Sequence, residues 1–413
     1  MHNIFSLKNL TAGQENKNLD YNIRVDLLAS LAFGIYAGIL FPFFPALAVR
    51  QGIEGLLLAL ITASPFMGHL FAVYWGHRCE CGSKKKYMFI SGLISRFLLI
   101  TLGLFSTPAV FAIMIIMHFM IAAVAWPAYT GLIKSIYPPA IRGRIMGLVQ
   151  MVIGLVRVFV TYGAGLMLDS WGYGTFFIIA GIAGITASFI IRYFREDKES
   201  MQRPAAGFSF ADTAGHITRD RGLRYSLLSF FIFDLGNLIL LPVYPYVQVT
   251  ALGLSNFQIG QLSIFWMIGW LIFSPIWGNL VDRRNPLSAV KTAIFLFTIS
   301  PLIYLMQPPF YVLPLASLSA GAAGAALEVG WINQMIVLGG DKSSTYSGIY
   351  LTLLGFRGLL GSLIGGVLLG LVPVGFIFLL TLTLLLVGLL PLQRLYYLGK
   401  IENAGEVSLK SRD

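Results

Sequence analysis

Charge is scarce in this sequence. Only 11% of the 413 residues are charged, less than half of the roughly 25% found in soluble domains. That excludes an ordinary water-facing globular surface. Cysteine is almost absent too. Cys79 and Cys81 are the only two, too few for a disulfide framework, and they sit in a basic loop where reduced thiols are expected. The stretch His77-Arg78-Cys79-Glu80-Cys81 has soft-metal donors but no second ligand pair nearby, so no metal site is expected. There is no Walker loop, dinucleotide fingerprint or metal-ligand helix, and no Ser-His-Asp cluster. ATP is therefore not the driver, and neither enzymatic activity nor a cofactor is expected. The first 20 residues lack an apolar core segment, so no cleavable signal peptide is expected.

Apolar residues are abundant, at 57%. They gather in runs long enough for a membrane span, which needs roughly 20 residues. Within lipid the backbone must close its hydrogen bonds locally, so these runs read as helices. Twelve are expected, at 24–49, 53–76, 87–106, 109–134, 145–168, 173–194, 224–249, 256–280, 288–306, 310–337, 345–370 and 373–396. The net charge of +11 would suggest nucleic acid in a soluble protein. Its placement gives another reading. Of the 29 Lys and Arg residues, only Arg50 falls in an odd-numbered loop, while Arg96, Arg157 and Arg357 fall inside spans. The rest lie in the termini and even-numbered loops or beside them. That is a positive-inside pattern, which predicts both termini in the cytoplasm and a multi-pass protein of the cell membrane. No nucleic-acid partner is expected; the bilayer is.

The chain also repeats itself. Arg24, Leu27, Leu28, Phe33, Pro42 and Pro45 recur 200 residues later as Arg224, Leu227, Leu228, Phe233, Pro242 and Pro245. Trp75-Gly76 recurs as Trp277-Gly278. One membrane half is used twice, a construction typical of secondary transporters. The division predicted is a tail at 1–23, a six-helix half at 24–194, a charged linker at 195–223 with a short amphipathic helix around 208–217, a second half at 224–396 and a tail at 397–413. Gly361, Gly365, Gly366 and Gly370 place small residues along the eleventh helix, which predicts close helix packing.

Two cytoplasmic loops carry motifs. One reads Gly278-Asn279-Leu280-Val281-Asp282-Arg283-Arg284. The other reads Pro138-Pro139-Ala140-Ile141-Arg142-Gly143-Arg144. With Asp169-Ser170-Trp171-Gly172-Tyr173-Gly174, the repeat and the six-plus-six layout, the sequence resembles the major facilitator superfamily. The resemblance implies an all-α membrane protein of twelve transmembrane helices in two pseudo-symmetric six-helix bundles, working as a monomer. It also implies that these loops brace one conformational state. The first-half copy is degraded: Gly76 is followed by Glu80 at the acid position, Cys81 stands where Arg is expected, and Lys84 supplies trailing charge. The expected switch residues are thus Gly76, Glu80, Lys84, Arg142, Gly143, Arg144, Gly278, Asp282 and Arg283. An acid there can pair across the loop or meet a helix N-terminus. Helix 5 lacks the superfamily's antiporter signature, since Tyr162-Gly163-Ala164-Gly165-Leu166 has no proline.

Ionisable groups inside spans cost at least ~2.5–3.5 kcal/mol on insertion scales, which marks them as candidates. Asp234 and Glu328 lie in helices 7 and 10, which the resemblance places around a central cavity. Either can carry a proton or bind a cation, with Asn237 one turn beyond Asp234. The competing reading is a permanent ion pair with Arg357. Arg157 and Arg357 sit at equivalent positions of the two halves. Arg157 has no deep acid in its own half, so an anionic solute, or an acid from the other half, is expected to meet it. The resemblance puts His118 near a common cavity position. Trp126 is one of several aromatics that can shape a cavity. Arg96, on helix 3, is expected to be structural.

The function expected is secondary active transport of a small solute, an anionic one among the candidates, by alternating access, coupled to a proton or another ion. Multidrug export and a non-transporting sensor or assembly factor on the same fold are the alternatives.

Overall fold

The computed structural model describes residues 17–105, 107–195, 215, 218, 220–283, 286–339 and 343–394. The expected amphipathic helix at 208–217 falls almost wholly outside them. The described chain is helical apart from short connections. In order the helices are α1 (Lys17–Arg50), α2 (Gly55–Met67), α3 (Ala72–Cys81), α4 (Lys84–Leu104), α5 (Pro108–Ala122), α6 (Ala125–Ile136), α7 (139–171), α8 (173–191), α9 (Arg221–Tyr246), α10 (Asn256–Arg283), α11 (Pro286–Leu305), α12 (Leu313–Gly339), α13 (Ser343–Leu371) and α14 (Val374–Val387). Ten apolar helical stretches among the described residues are long enough to cross a membrane, with α5 and α6 forming one of them; dividing 139–191 at Gly172 and adding the interrupted pair α2 and α3 brings the number to twelve.

Prolines account for the interruptions. Pro65 sits inside α2, and a tight 3₁₀ turn at Gly68–Phe71 follows before α3 resumes. Pro127 lacks the N–H that would bond the Ala123 carbonyl, and the helix breaks between α5 and α6 at that place. The turn from α7 to α8 is tighter than the sequence spacing suggests. It consists of Gly172 alone at φ 74°, ψ 148°, a conformation open to glycine and strained for other residues. At the N-terminus the helix begins at Lys17, inside the stretch whose composition reads as a polar tail. Leu19 and Ile23 are buried against Ile133, Tyr137, Ile145 and Val149, and that packing extends the helix.

The helices group into two compact units. One runs to Gly207 and takes in Pro245–Ile264; the other comprises Phe208–Tyr244 and the chain from Phe265 onward. The repeat is visible inside each. In the first unit α1 and α7 touch where Thr161 donates to the Gly38 carbonyl at 2.8 Å. At the corresponding residues of the second, Gly361 lies so close to α9 that a Cβ there would stand 3.0 Å from Leu238. The first unit holds the start of α10 through Arg50 at the end of α1 and Asp169 near the end of α7. Asn256 donates to Asp169 and accepts from Arg50 Nε at 3.1 Å. The second unit has an aromatic and aliphatic core that includes Phe230, Phe233, Val290, Ile294 and Leu385.

Gly172→Ala places a methyl group on a positive φ and should cost about 1–3 kcal/mol. Gly163→Ala adds a Cβ into open space within α7 and should stabilise by roughly 0.5–1 kcal/mol through helix propensity. Thermal unfolding of the two purified variants should move in opposite directions.

Candidate functional site

In the first unit, α1 presents Tyr36 at the centre of a polar cluster. Its hydroxyl lies 2.8 Å from His118 Nε2, and His118 Nδ1 lies 2.7 Å from the Ser95 carbonyl oxygen. A carbonyl only accepts, so Nδ1 carries a proton, and a neutral ring then accepts the Tyr36 hydroxyl at Nε2. Both polar atoms of this fully buried histidine are thereby satisfied.

Two guanidiniums flank the cluster. Arg96 donates from Nη1 to Ser95 Oγ at 2.7 Å, and its Cζ stands 4.7 Å from the centre of the Tyr36 ring. Its stem lies across Gly184 of α8, where a Cβ would come within 2.4 Å of Arg96 Cγ. Arg157 holds its Cζ 5.5 Å from the Phe41 ring centre. The Nε atoms of both are buried without a hydrogen-bond partner. Among the described residues neither arginine meets a carboxylate at ion-pair distance. Ring contacts of this kind offset roughly 0.5–2 kcal/mol each, below the ~2.5–3.5 kcal/mol insertion cost of a mid-span arginine.

The same unit has a buried acid. Asp26, ten residues before Tyr36 on α1 and so about 15 Å along the axis, is 2% exposed. It accepts from Tyr137 at 2.9 Å and from Tyr129 at 3.1 Å. Burial, then the Asp26 carboxylate, push the Tyr137 phenol well above its ordinary range. A cavity of about 400 Å³ borders both groups, lined by Asp26, Tyr36, Arg96, Phe119, Trp126 and Tyr129 among others. In the sequence Asp26 lies near a helix end, where an acid is unremarkable, and Arg96 is expected to be structural. The burial of Asp26 and the niche of Arg96 have no local sequence signal, because the tyrosines and the glycine come from other helices.

The second unit meets its guanidinium differently. Arg357 Nη2 stands 3.5 Å from Asp234 Oδ2, and both side chains are buried. At that distance the pair is electrostatic without hydrogen-bond geometry. The ring of Tyr350 lies 5.2 Å from Arg357 Cζ and stacks on Trp331. Glu328 does not join this pair; it accepts from Trp270 Nε1 at 3.1 Å. Asn237 is partly buried one turn beyond Asp234. Subtracting the repeat offset from Asp234 gives Gly34, packed against Val156 beside Arg157. The two arginines thus share a position in the repeat and each lies beside a ring, Phe41 or Tyr350, but among the described residues only the second has an acid.

The switch candidates separate by role. Arg142 donates to the Tyr137 carbonyl at 2.9 Å and to the Lys134 carbonyl at 3.1 Å, capping the end of α6. The Lys84 stem lies over Gly131, and Gly76 faces Pro127. Gly143 and Gly278 have nothing in contact where a Cβ would stand, and Arg144 is exposed. The side chains of His77, Glu80, Cys81, Asp282 and Arg283 lie outside the described residues.

Removing one partner of the buried second-unit pair leaves the other unmatched. Arg357→Leu alone should therefore destabilise by about 3–5 kcal/mol. The double variant Asp234→Leu/Arg357→Leu should recover most of that loss in thermal unfolding.

No curated protein sequence matches the chain significantly. Solved structures match in fold: nucleoside transporter NupG at TM-score 0.70, with 10% identity over 91% of this chain and 99% of that one; a D-xylose-proton symporter at 0.66, with 14% identity over 89% and 96%; and a bacterial homolog of the human lysosomal transporter Spinster, inward-facing and occupied, at 0.59, with 14% identity over 89% and 96%. The description "Major Facilitator Superfamily" matches residues 27–234 and again 226–411. With two matches that together span nearly all of a twelve-pass helical chain, the protein belongs to the Major Facilitator Superfamily, whose members are secondary transporters.

Proposed function

We propose that the protein carries a small organic anion across the cell membrane by alternating access, with both termini in the cytoplasm. The observation that carries this reading is Arg157. It is a mid-span guanidinium with a ring beside it, no carboxylate partner among the described residues, and glycine where its counterpart has aspartate. An anionic group on the solute supplies the missing charge, and the planar fork of arginine suits a carboxylate. The coupling ion in this reading is a proton. Asp234 and Glu328 are its carriers: Asp234 is held by a loose ion pair that protonation would release, and Glu328 has a neutral indole partner. The D-xylose-proton symporter, similar in fold, is proton-coupled by name. Asp282 and its loop act on the conformational switch, with Arg142 holding the end of α6.

Counterflow of radiolabelled carboxylates into proteoliposomes tests the solute class. Arg157→Ala should lower affinity tenfold or more, and Arg157→Lys should fall between the two. Unchanged affinity in Arg157→Ala removes the anion assignment. Glu328→Gln should abolish accumulation driven by a proton gradient while leaving exchange intact; Asp234→Asn, which leaves Arg357 unmatched, should abolish it too, with exchange measured on the fraction that stays folded. Normal accumulation in both variants and in their combination excludes these acids as carriers. Labelling of single cysteines at positions 50 and 84 should report opposite faces of the membrane.

A further inference from the structure

The anion-carrier reading names a charge and leaves open what the rest of the solute looks like and where it sits. The cavity of the first unit gives both. It is lined mainly by apolar and aromatic side chains, with Phe119 and Trp126 as ring walls, and Arg96 is its guanidinium. Arg96 is 7% exposed, its Nε has no partner, and its hydrogen bond to Ser95 and its ring contact with Tyr36 are with neutral groups. The surrounding fold makes room for it. Gly184 leaves the space that its stem occupies, and Tyr36, on which it lies, is fixed by the His118–Ser95 chain. Packing needs alone would be met by an apolar side chain in the Gly184 niche. A guanidinium there costs free energy unless a negative charge approaches it. At the far end of the cavity Asp26 uses its carboxylate on two tyrosine hydroxyls, so that end repels a second anionic group.

We infer that this cavity is a binding site for an aryl or similarly flat apolar monocarboxylate, with the carboxylate on Arg96 beside Tyr36 and the ring between Phe119 and Trp126. Arg96 is the anchoring residue, and Arg157, near the same tyrosine, adds a second positive charge. This rests on the anion-carrier reading for the sign of the solute but not on Arg157 as the group that binds it.

Radiolabelled benzoate is the probe, used on the purified full-length protein in a neutral detergent, with benzamide and inorganic phosphate as competitors. Benzoate should bind and benzamide, the same ring without charge, should not compete. Phosphate, the charge without the ring, should compete at least tenfold more weakly than unlabelled benzoate. Arg96→Gln should weaken benzoate at least tenfold and Arg96→Lys by less. Trp126→Ala, at a half-exposed wall position that does not endanger folding, should weaken it severalfold. Gly184→Ala, which pushes on the Arg96 stem without changing any charge, should do the same. Size-exclusion profiles establish that each variant is folded. If Arg96→Gln misfolds, Arg96→Lys, Trp126→Ala and Gly184→Ala decide the matter together. Unchanged benzoate affinity in the folded Arg96 variants, equal competition by benzamide, or no benzoate binding overturns the inference. Loss of binding in Arg157→Ala with Arg96→Gln unaffected would leave the anion carrier standing and remove this site. The converse would keep this site and remove Arg157 from the carrier.

Discussion

An arginine taken into the hydrocarbon layer keeps its charge, and its surroundings must answer that charge or leave it open. Lipid offers no counter-ion and little water, so the answer comes from side chains, backbone carbonyls or a bound solute. In this protein three such arginines determine how the polar interior is arranged. Arg357 is met by Asp234 at 3.5 Å. Arg96 and Arg157 are met by rings, a serine hydroxyl and no described acid. The Tyr36–His118–Ser95 chain, the niche at Gly184 and the cavity wall are built around that unanswered charge.

The contrast between the halves separates stability from recruitment. A buried ion pair is a poor source of net stability, because desolvation offsets most of the Coulomb gain. Its value lies in what happens when it opens. The 3.5 Å separation and the absence of hydrogen bonds make the Arg357 pair easier to break than a bidentate contact at about 2.7–2.9 Å. An acid released from such a pair is available for a proton. The first half has no acid at the matching position, where Gly34 stands. One fold, used twice, thus surrounds its buried arginines in two different ways.

Much of the architecture could be read from the residues alone. Span length, loop charge and the 200-residue offset lead to twelve passes and a duplicated half, because lipid makes hydropathy an almost direct report of helix position. The helix breaks after Pro65 and before Pro127 have local causes and were readable in principle, but a single apolar run hides them. The candidate site was only partly legible. Arg157, His118 and Asp234 stand out because a charged or imidazole side chain in an apolar run is conspicuous. Asp26 sits near a helix end, where an acid is unremarkable, and its burial comes from Tyr129 and Tyr137 across the bundle. Arg96 is equally conspicuous in sequence, but its importance depends on a glycine on α8, 88 positions later, that leaves room for its stem. Such relations between distant positions have no periodicity to betray them.

The pairing of Gly34 with Asp234 has a genetic side. Glycine and aspartate codons can differ at a single base, so the step between an arginine with an acid and one without is among the smallest a duplicated gene can take. At Gly34 the helices already touch, with Val156 so near that a Cβ would come within 2.8 Å. Aspartate at this position would therefore demand room as well as a base change. Once neighbouring side chains have closed around a position, the two copies cannot easily be made alike there, and packing holds their difference in place.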